Sequence, residues 1–358
     1  MHRNILSLVC AYLLLLSISA AHAEDFAGAS GMAWIADNHY LCVQDLKADR
    51  PGSRIGILTV DTENGGYDYL PLEPDWQGEL PHDLESVYGF RTRPGEFLLC
   101  ESGAYENWTT HEYHIGRIFH VKLEQAQDGW RFSLLGTIPL PEHIHEIEGL
   151  FVMSAEHPEA IVAASGNSEE VSAYLHRLES YGLYNDPYQP AFSEEETAAA
   201  ELVEPVERMP VNIILGSRGG DLAYQPAKLY YCIADLASHE MITDGGSGVE
   251  LSVPPANNPW ERGISDLYMD DSGVLWIAKC SDRGDNGPFD SVIYRMGYFE
   301  PGESYFSSYG NLEWKLSGVK VEAICRSVLP GSTLCYATDD EGFGGIWRSL
   351  GPATDSRF

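Results

Sequence analysis

Four short stretches of the chain set one acidic residue among apolar or small neighbours. They are Leu84-Glu85-Ser86-Val87, Ile147-Glu148-Gly149-Leu150, Ile264-Ser265-Asp266-Leu267 and Val321-Glu322-Ala323-Ile324. Such alternation reads as a β-strand that aims a carboxylate at one chosen face. Asp83 and Glu146 stand two residues before Glu85 and Glu148, hence on the same face. Carboxylates brought to one level by several strands raise one another's pKa or recruit a cation. A donor set made only of oxygen suits Ca²⁺, so Glu85, Glu148, Asp266 and Glu322 are the candidate metal ligands. One acid per unit can equally serve the fold by accepting hydrogen bonds from a neighbouring unit's backbone. The sequence leaves both readings open.

Each acidic stretch is followed by a turn and a more apolar run that ends in small or polar residues. Those ends supply a second set of candidates, Asp45, Glu101, Asn167, Arg218 and Asp282, with Asp339 and Asp340. Arg218 stands among Gly216, Gly219 and Gly220, where the backbone can approach a ligand and a guanidinium can grip a phosphate or carboxylate. Its alternative is a salt bridge to one of the acids. Glu101, Asn167, Arg218 and Asp282 are taken as the ligand-binding group. Glu148, or a histidine just before an acidic phrase, His82 or His145, is the candidate general base. The chain lacks a G-x-S-x-G elbow, and no Lys-Ser/Thr closes the glycines around Arg218 as a phosphate loop would require. Ser281 to Gly287 has the composition of a calcium loop but not its closing Glu, and reads as a polar turn.

The elements that must position these residues form an internal repeat: an acidic strand, a buried strand such as Phe97-Leu98-Leu99-Cys100, then an outer strand such as Arg117-Ile118-Phe119-His120-Val121. A repeat of this kind is how an all-β propeller looks in sequence. Five or six blades are expected, six preferred, with ring closure by pairing between the chain ends. Val211 to Leu215 and Lys228 to Ile233 belong either to the third blade or to a degenerate blade of their own. Residues 168–210 interrupt the repeat. Ser193 with Glu196 has capping-box spacing, so this insertion is expected to be partly helical.

Residues 1–23 read as a signal peptide: a basic start, an apolar run from Ile5 to Ile18, and Ala21-His22-Ala23 as cleavage site. The run is too short for a membrane span. Residues 24–358 are then a single exported propeller domain, periplasmic or extracellular. The formal net charge of −32 argues against nucleic acid and anionic membranes as partners, and fits binding of a cation or a small molecule. Six of the 7 cysteines lie outside the leader. Several fall at equivalent strand ends, as small buried residues would, and Cys325 with Cys335 is the pair placed to bridge. No Cys/His spacing suggests zinc.

The phrases Asp83-Leu84-Glu85-Ser86-Val87, Glu146-Ile147-Glu148-Gly149-Leu150, Ile214-Leu215-Gly216-Ser217-Arg218-Gly219 and Gly263-Ile264-Ser265-Asp266-Leu267 carry a resemblance. The chain resembles an uncharacterised bacterial family of secreted β-propellers, related to phytase-like and esterase-like propeller domains. The resemblance spans most of the chain outside the insertion. It implies a carboxylate-lined axial channel holding Ca²⁺, with Glu85, Glu148, Asp266 and Glu322 in channel positions. It further implies a metal-dependent hydrolase of a phosphoester, or of an ester or lactone. The basic cluster that an inositol polyphosphate needs is thin, being limited to Arg218, Arg262, Lys279 and Arg283. A non-catalytic propeller that binds a small molecule or a protein, with structural channel carboxylates, is the alternative.

Overall fold

The computed structural model describes residues 26–106, 111–127, 129–153, 209–219, 226–251, 260–284, 286–299 and 306–352. The expected signal peptide, Asn167 and nearly all of the expected helical insertion lie outside these residues.

Short runs rich in Val, Ile, Leu and Tyr, punctuated by Gly, Asp and Pro, fold as antiparallel strands that pair with their sequence neighbours. The first sheet is β1 (Gly31–Ala36), β2 (His39–Val43), β3 (Ile55–Val60) and β4 (Tyr67–Leu72). The second is β5 (Leu84–Gly89), β6 (Glu96–Glu101), β9 (Arg117–Ala126) and β10 (Gly129–Pro139). Between β6 and β9 stands a small hairpin, β7 (Tyr105–Glu106) and β8 (Tyr113–His114). The third sheet runs β11 (Ile147–Met153), β12 (Pro210–Ser217), β13 (Lys228–Asp235) and β14 (Glu240–Thr243), with β15 (Val249–Glu250) also on β13. The fourth is β16 (Asp266–Met269), β17 (Val274–Ser281), β18 (Asp290–Phe299) and β19 (Phe306–Ser317). The fifth has three strands, β20 (Val321–Arg326), β21 (Leu334–Thr338) and β22 (Trp347–Ser349).

The innermost strands β1, β5, β11, β16 and β20 touch one another in that order, and β20 touches β1, so the five sheets close into a ring. This is a five-bladed β-propeller. The core agrees: five apolar clusters are present, each wedged between two adjacent blades. The preference for six blades is corrected here. Val211 to Leu215 lie in β12 and pair directly with β11, Leu150 opposite Leu215, so they complete the third blade. Among the described residues there is no α-helix, only a single 3₁₀ turn at Glu341–Phe343.

Adjacent blades are fitted by a notch. Gly149 and Gly216 face each other across β11 and β12. A Cβ on Gly149 would lie 2.6 Å from Leu267 Cγ, and one on Gly216 would lie 2.2 Å from Leu267 Cδ1. Leu267 of the fourth blade therefore fills a hollow that two missing side chains create.

Closure between the last blade and the first uses backbone and one tyrosine. Ala29 N–H donates to the Thr338 carbonyl (3.1 Å) and Gly345 N–H to the Phe26 carbonyl (2.8 Å). The Tyr40 hydroxyl donates to the Arg326 carbonyl (2.9 Å) and accepts from Val328 N–H (3.0 Å). Other junctions use similar bonds, such as Asp83 N–H to the Leu46 carbonyl and Ile147 N–H to the Ser102 carbonyl. Closure is by junction contacts of this kind, with the last blade keeping three strands.

The six described cysteines are buried and free. Cys325 and Cys335 do lie opposite each other in register, but the Cys335 thiol donates to the backbone carbonyls of Cys325 and Arg326.

Candidate functional site at the acidic end of the axis

Each inner strand starts at one end of the central axis, and a repeated backbone device shapes that start. In the second blade Ser102 N–H donates to the Asp83 carbonyl at 2.9 Å. Arg218 N–H to Glu146 (2.9 Å), Asp282 N–H to Trp260 (3.1 Å) and Asp339 N–H to Lys320 (3.1 Å) repeat it in the next three blades. Asp83 and Glu146 adopt left-handed backbone, φ 63° and 56°, which turns the chain sharply into the strand. Two residues further on, Glu85, Glu148 and Glu322 each fall where the register slips by one: between Leu84 and Ser86, Ile147 and Gly149, Val321 and Ala323. An extra residue of this kind is a β-bulge, and a bulge re-aims a side chain. The three glutamates are thereby turned to a common level.

In the fourth blade the equivalent position is Arg262, two residues after Trp260, and its N–H donates to the Cys280 carbonyl (2.8 Å). Its guanidinium lies 3.9 Å from Glu148 Oε1, 3.8 Å from Glu322 Oε1 and 2.6 Å from Asp282 Oδ2. One cation thus sits between the glutamates of the blades on either side. Asp266, which the sequence aligns with the glutamates, lies deeper in its strand, opposite Ala278. One of its carboxylate oxygens accepts Leu267 N–H (2.7 Å) and the other Ile324 N–H of the fifth blade (2.6 Å). That is the blade-to-blade tie that the sequence had left open as an alternative.

The cations are gathered on one side of the mouth. Arg218 pairs with Glu146 and donates to Glu148 Oε1 at 2.9 Å. Lys320 lies 2.9 Å from Glu322 and 2.6 Å from Glu341. The other side, built by the first two blades, is acid-rich: Asp45, Asp83 and Glu85 offer one carboxylate oxygen each within 4.8 Å of one another. Lys47 pairs with Asp83, and its ammonium also feels the charges of Glu85 and Asp45.

Burial and like charge act together on these groups. Burial, reinforced by Glu148, Asp83, Asp45 and Glu322, pushes the Glu85 carboxyl well above the usual carboxylate range. Burial raises Glu148 to about 7, opposed by Arg218 and Arg262 and assisted by Glu322 and Glu146. Asp339 is raised to about 7 by burial and by the neighbouring Glu322 and Asp45. At Asp282 burial also raises the pKa, but the Gly284 N–H and the cations Arg262 and Lys320 outweigh it and the carboxyl falls below its ordinary value.

The other expected residues divide clearly. Glu101 is 1 % exposed and is closed by Arg117, at 2.8 Å and 3.2 Å, and by the backbone N–H of His82 at 2.8 Å. His145 is exposed; its backbone carbonyl accepts the Ser217 hydroxyl at 3.0 Å. The second strand of the third blade ends at Ser217-Arg218, the position for which Asn167 was a candidate. The sequence reading named Arg262 only as part of a thin basic cluster and passed over Lys320. The signal was present in Lys320-Val321-Glu322, where opposite charges two apart share a strand face, a spacing that holds them side by side. Next to the acid-rich side, the His82 ring stacks on Tyr105 of the hairpin at 3.5 Å, and Tyr105 on His114 at 4.9 Å.

No protein-family model and no curated protein sequence matches the chain. Among solved structures it is similar to a thermostable family-43 glycoside hydrolase, at 8 % identity over 92 % of this chain and 93 % of that one, TM-score 0.42. It is similar also to an exo-1,5-α-L-arabinanase from a bovine ruminal metagenomic library: 9 % identity, 93 % and 96 % covered, TM-score 0.42. A third is a candidate 6-phosphogluconolactonase from Bacteroides uniformis, at 7 % identity over 89 % of this chain and 68 % of that one, TM-score 0.33. Likeness at this distance assigns no activity; the blade count above rests on strand pairing.

Proposed function

We propose that the acidic end of the axis binds a divalent cation, Ca²⁺ by preference, together with a small anionic molecule, and hydrolyses an ester of that molecule. The observation that carries the reading is the trio Asp45, Asp83 and Glu85, three oxygen donors within 4.8 Å of one another, facing the guanidinium side of the mouth. The trio fits a hard cation: its donors are all carboxylate oxygen, and Glu85 stands among four other acids that hold its proton tightly until a cation offsets their charge. A bound Ca²⁺ would supply positive charge to polarise a substrate oxygen.

The chain's own residues do the rest. Arg218 and Arg262 orient an anionic group through paired N–H donors, exchanging part of their contact with Glu148 and Asp282 for the ligand. Glu148, with a pKa of about 7, both accepts and releases a proton near neutrality, which suits a general base acting on water. His145, exposed and next to Glu146 in the chain, remains a candidate for a second base. The phosphoester, carboxylic ester and lactone classes all present the oxygen that this arrangement handles. The alternative, a non-catalytic propeller with structural channel carboxylates, is favoured by one fact: Glu146, Glu148 and Asp282 already pair with the two arginines.

The test is thermal unfolding of the protein in EDTA, then with millimolar Ca²⁺ or Mg²⁺, for the native chain and for Glu85→Gln. A Ca²⁺-specific rise in midpoint that Glu85→Gln abolishes is expected, because a ligand of the folded state stabilises it by mass action. No rise with either ion would sink the cation site. Hydrolysis of p-nitrophenyl phosphate, p-nitrophenyl acetate and a δ-lactone, measured for the native chain and Glu148→Gln, then separates catalysis from binding. Turnover lost at least a hundredfold in Glu148→Gln is expected for a general base.

A further inference from the structure

The acid-rich side of the mouth already seats one cation of the chain itself. The Lys47 ammonium pairs with Asp83 and feels the charges of Glu85 and Asp45, the three acids whose oxygens come within 4.8 Å of one another. Burial alone would lower the pKa of Lys47, but these acids, Asp83 foremost, outweigh it and raise it. The backbone that carries the lysine is held firmly. The Lys47 carbonyl accepts from Arg54 Nη2 and from Arg50 N–H, both at 2.9 Å. Ala48 N–H donates to His82 Nδ1 at 3.0 Å. Arg54 is 4 % exposed and also donates to the Pro81 carbonyl at 3.3 Å, which ties this loop to the one leading into the second blade. Asp83 is anchored in the same way, its N–H donating to the Leu46 carbonyl at 3.1 Å. Both partners thus stand on fixed backbone, while the Lys47 side chain is 42 % exposed. A flexible four-carbon stem on such a base swings its ammonium into water by rotamer changes alone.

We propose that Lys47 sets the cation specificity of the mouth: its ammonium fills the Asp45, Asp83 and Glu85 trio when no ion is present, and only a divalent cation displaces it. This rests on the reading that the trio binds a divalent cation. A free Na⁺ or K⁺ carries the same charge as the ammonium but lacks its tether, which holds the ammonium beside the acids at a high effective concentration. A divalent ion gains twice the Coulomb attraction to the same three carboxylates, whose oxygens are the donors that Ca²⁺ takes. Displacement has a cost: the affinity for the divalent ion is reduced by the fraction of molecules in which the ammonium has swung out. In the ion-free protein the ammonium offsets the repulsion among the three acids. The exchange breaks no covalent bond; one ammonium enters water for each divalent ion bound.

The experiment titrates the full chain with Ca²⁺ by calorimetry, in NaCl and in tetramethylammonium chloride of equal ionic strength, the latter cation being too large to enter the trio. The native chain should show the same affinity in both salts. Lys47→Gln should bind Ca²⁺ at least tenfold more tightly in tetramethylammonium chloride, and lose at least threefold of that when Na⁺ is supplied. Lys122→Gln, which removes a positive charge from the exposed face of β9, should behave as the native chain. Acetylation of the native chain with acetic anhydride, read by mass spectrometry, follows the lysine directly. Lys47 should react at least threefold faster with saturating Ca²⁺ than in EDTA, and Lys122 equally in both. Equal Ca²⁺ affinity in the native chain and Lys47→Gln, or no change in Lys47 acetylation on Ca²⁺ binding, would overturn the role of Lys47 and leave the cation site standing. Binding by Lys47→Gln but not by the native chain would make Lys47 a permanent counter-ion and overturn the exchange. No binding by either would overturn the cation site and the exchange together. Acetylation needs no variant, so the test stays decisive should Lys47→Gln fail to fold.

Discussion

Asp266 joins two blades with one carboxylate: one oxygen accepts its own neighbour's Leu267 N–H, the other the Ile324 N–H of the next inner strand at 2.6 Å. Both oxygens are therefore spent on backbone donors. Asp266→Ala should cost about 1–3 kcal/mol, the penalty for leaving a buried N–H unpaired. Asp266→Asn should also destabilise, because its amide NH₂ would face an N–H. Urea unfolding measures both. Calcium affinity at the mouth should be the same in both variants, and a loss there would return Asp266 to the list of metal ligands.

Arg262 separates Glu148 from Glu322, so Arg262→Gln leaves two buried carboxylates facing each other. The expected loss at pH 8 is about 2 kcal/mol, in the range for hydrogen bonds to charged groups. The loss should shrink toward pH 5. Glu148 is held near 7 in the folded chain, above its unfolded value, so its stabilising protonation is present at low pH and lost as pH rises through about 7. Removing Arg262 raises that folded pKa further, since Arg262 is one of the groups holding it down. Unfolding midpoints at pH 5 and pH 8 check this, and an equal deficit at both would refute the electrostatic account.

Gly149→Ala puts a methyl group 2.6 Å from Leu267 Cγ and 2.8 Å from its backbone nitrogen. Overpacking of that kind typically costs about 1–3 kcal/mol. The double variant Gly149→Ala with Leu267→Ala should not recover the loss, because the Cβ at 2.7 Å and the backbone nitrogen at 2.8 Å remain in place. Thermal unfolding of the three variants tests the fit.

His120 and His239 meet ring to ring at 3.2 Å between the second and third blades, with Glu96 3.1 Å from the far nitrogen of His120. Burial lowers the pKa of both rings, against the pull of Glu96 on His120 and of Asp235 on His239. The unfolded chain takes up protons near 6.5 while the folded chain resists them. Stability is therefore full above about pH 6.5 and falls as pH drops through the lower folded values. His239→Gln should flatten this acid limb, read from urea midpoints between pH 7 and pH 5. An unchanged slope would place the acid sensitivity elsewhere.

The blade repeat was legible because each inner strand alternates visibly, as in Leu84 to Val87 and Val321 to Ile324. Three glutamates were legible for the same reason. Asp266 misled because the sequence aligned acid with acid, whereas hydrogen-bond register aligns Arg262 with Glu148. Register is a property of the pairing, and a one-residue bulge leaves no compositional mark. Of the five or six blades expected, six was preferred wrongly because residues 154–208 stand between β11 and its partner β12, hiding a strand pair that is adjacent in space.

The junction between the fifth and first blades is made of the same kinds of bond as the other junctions, with Tyr40 reaching the Arg326 carbonyl 286 positions away in the chain. Among the described residues nothing in that seam is covalent or specialised, so the architecture has no privileged first blade. A circular permutant that joins the present ends and opens at the exposed Gln77-Gly78 turn, past the buried Trp76, would meet the same five interfaces in a different order. What changes is the history of assembly: in the native order the seam forms only after both ends of the ring exist, and in the permutant that late step moves to another boundary.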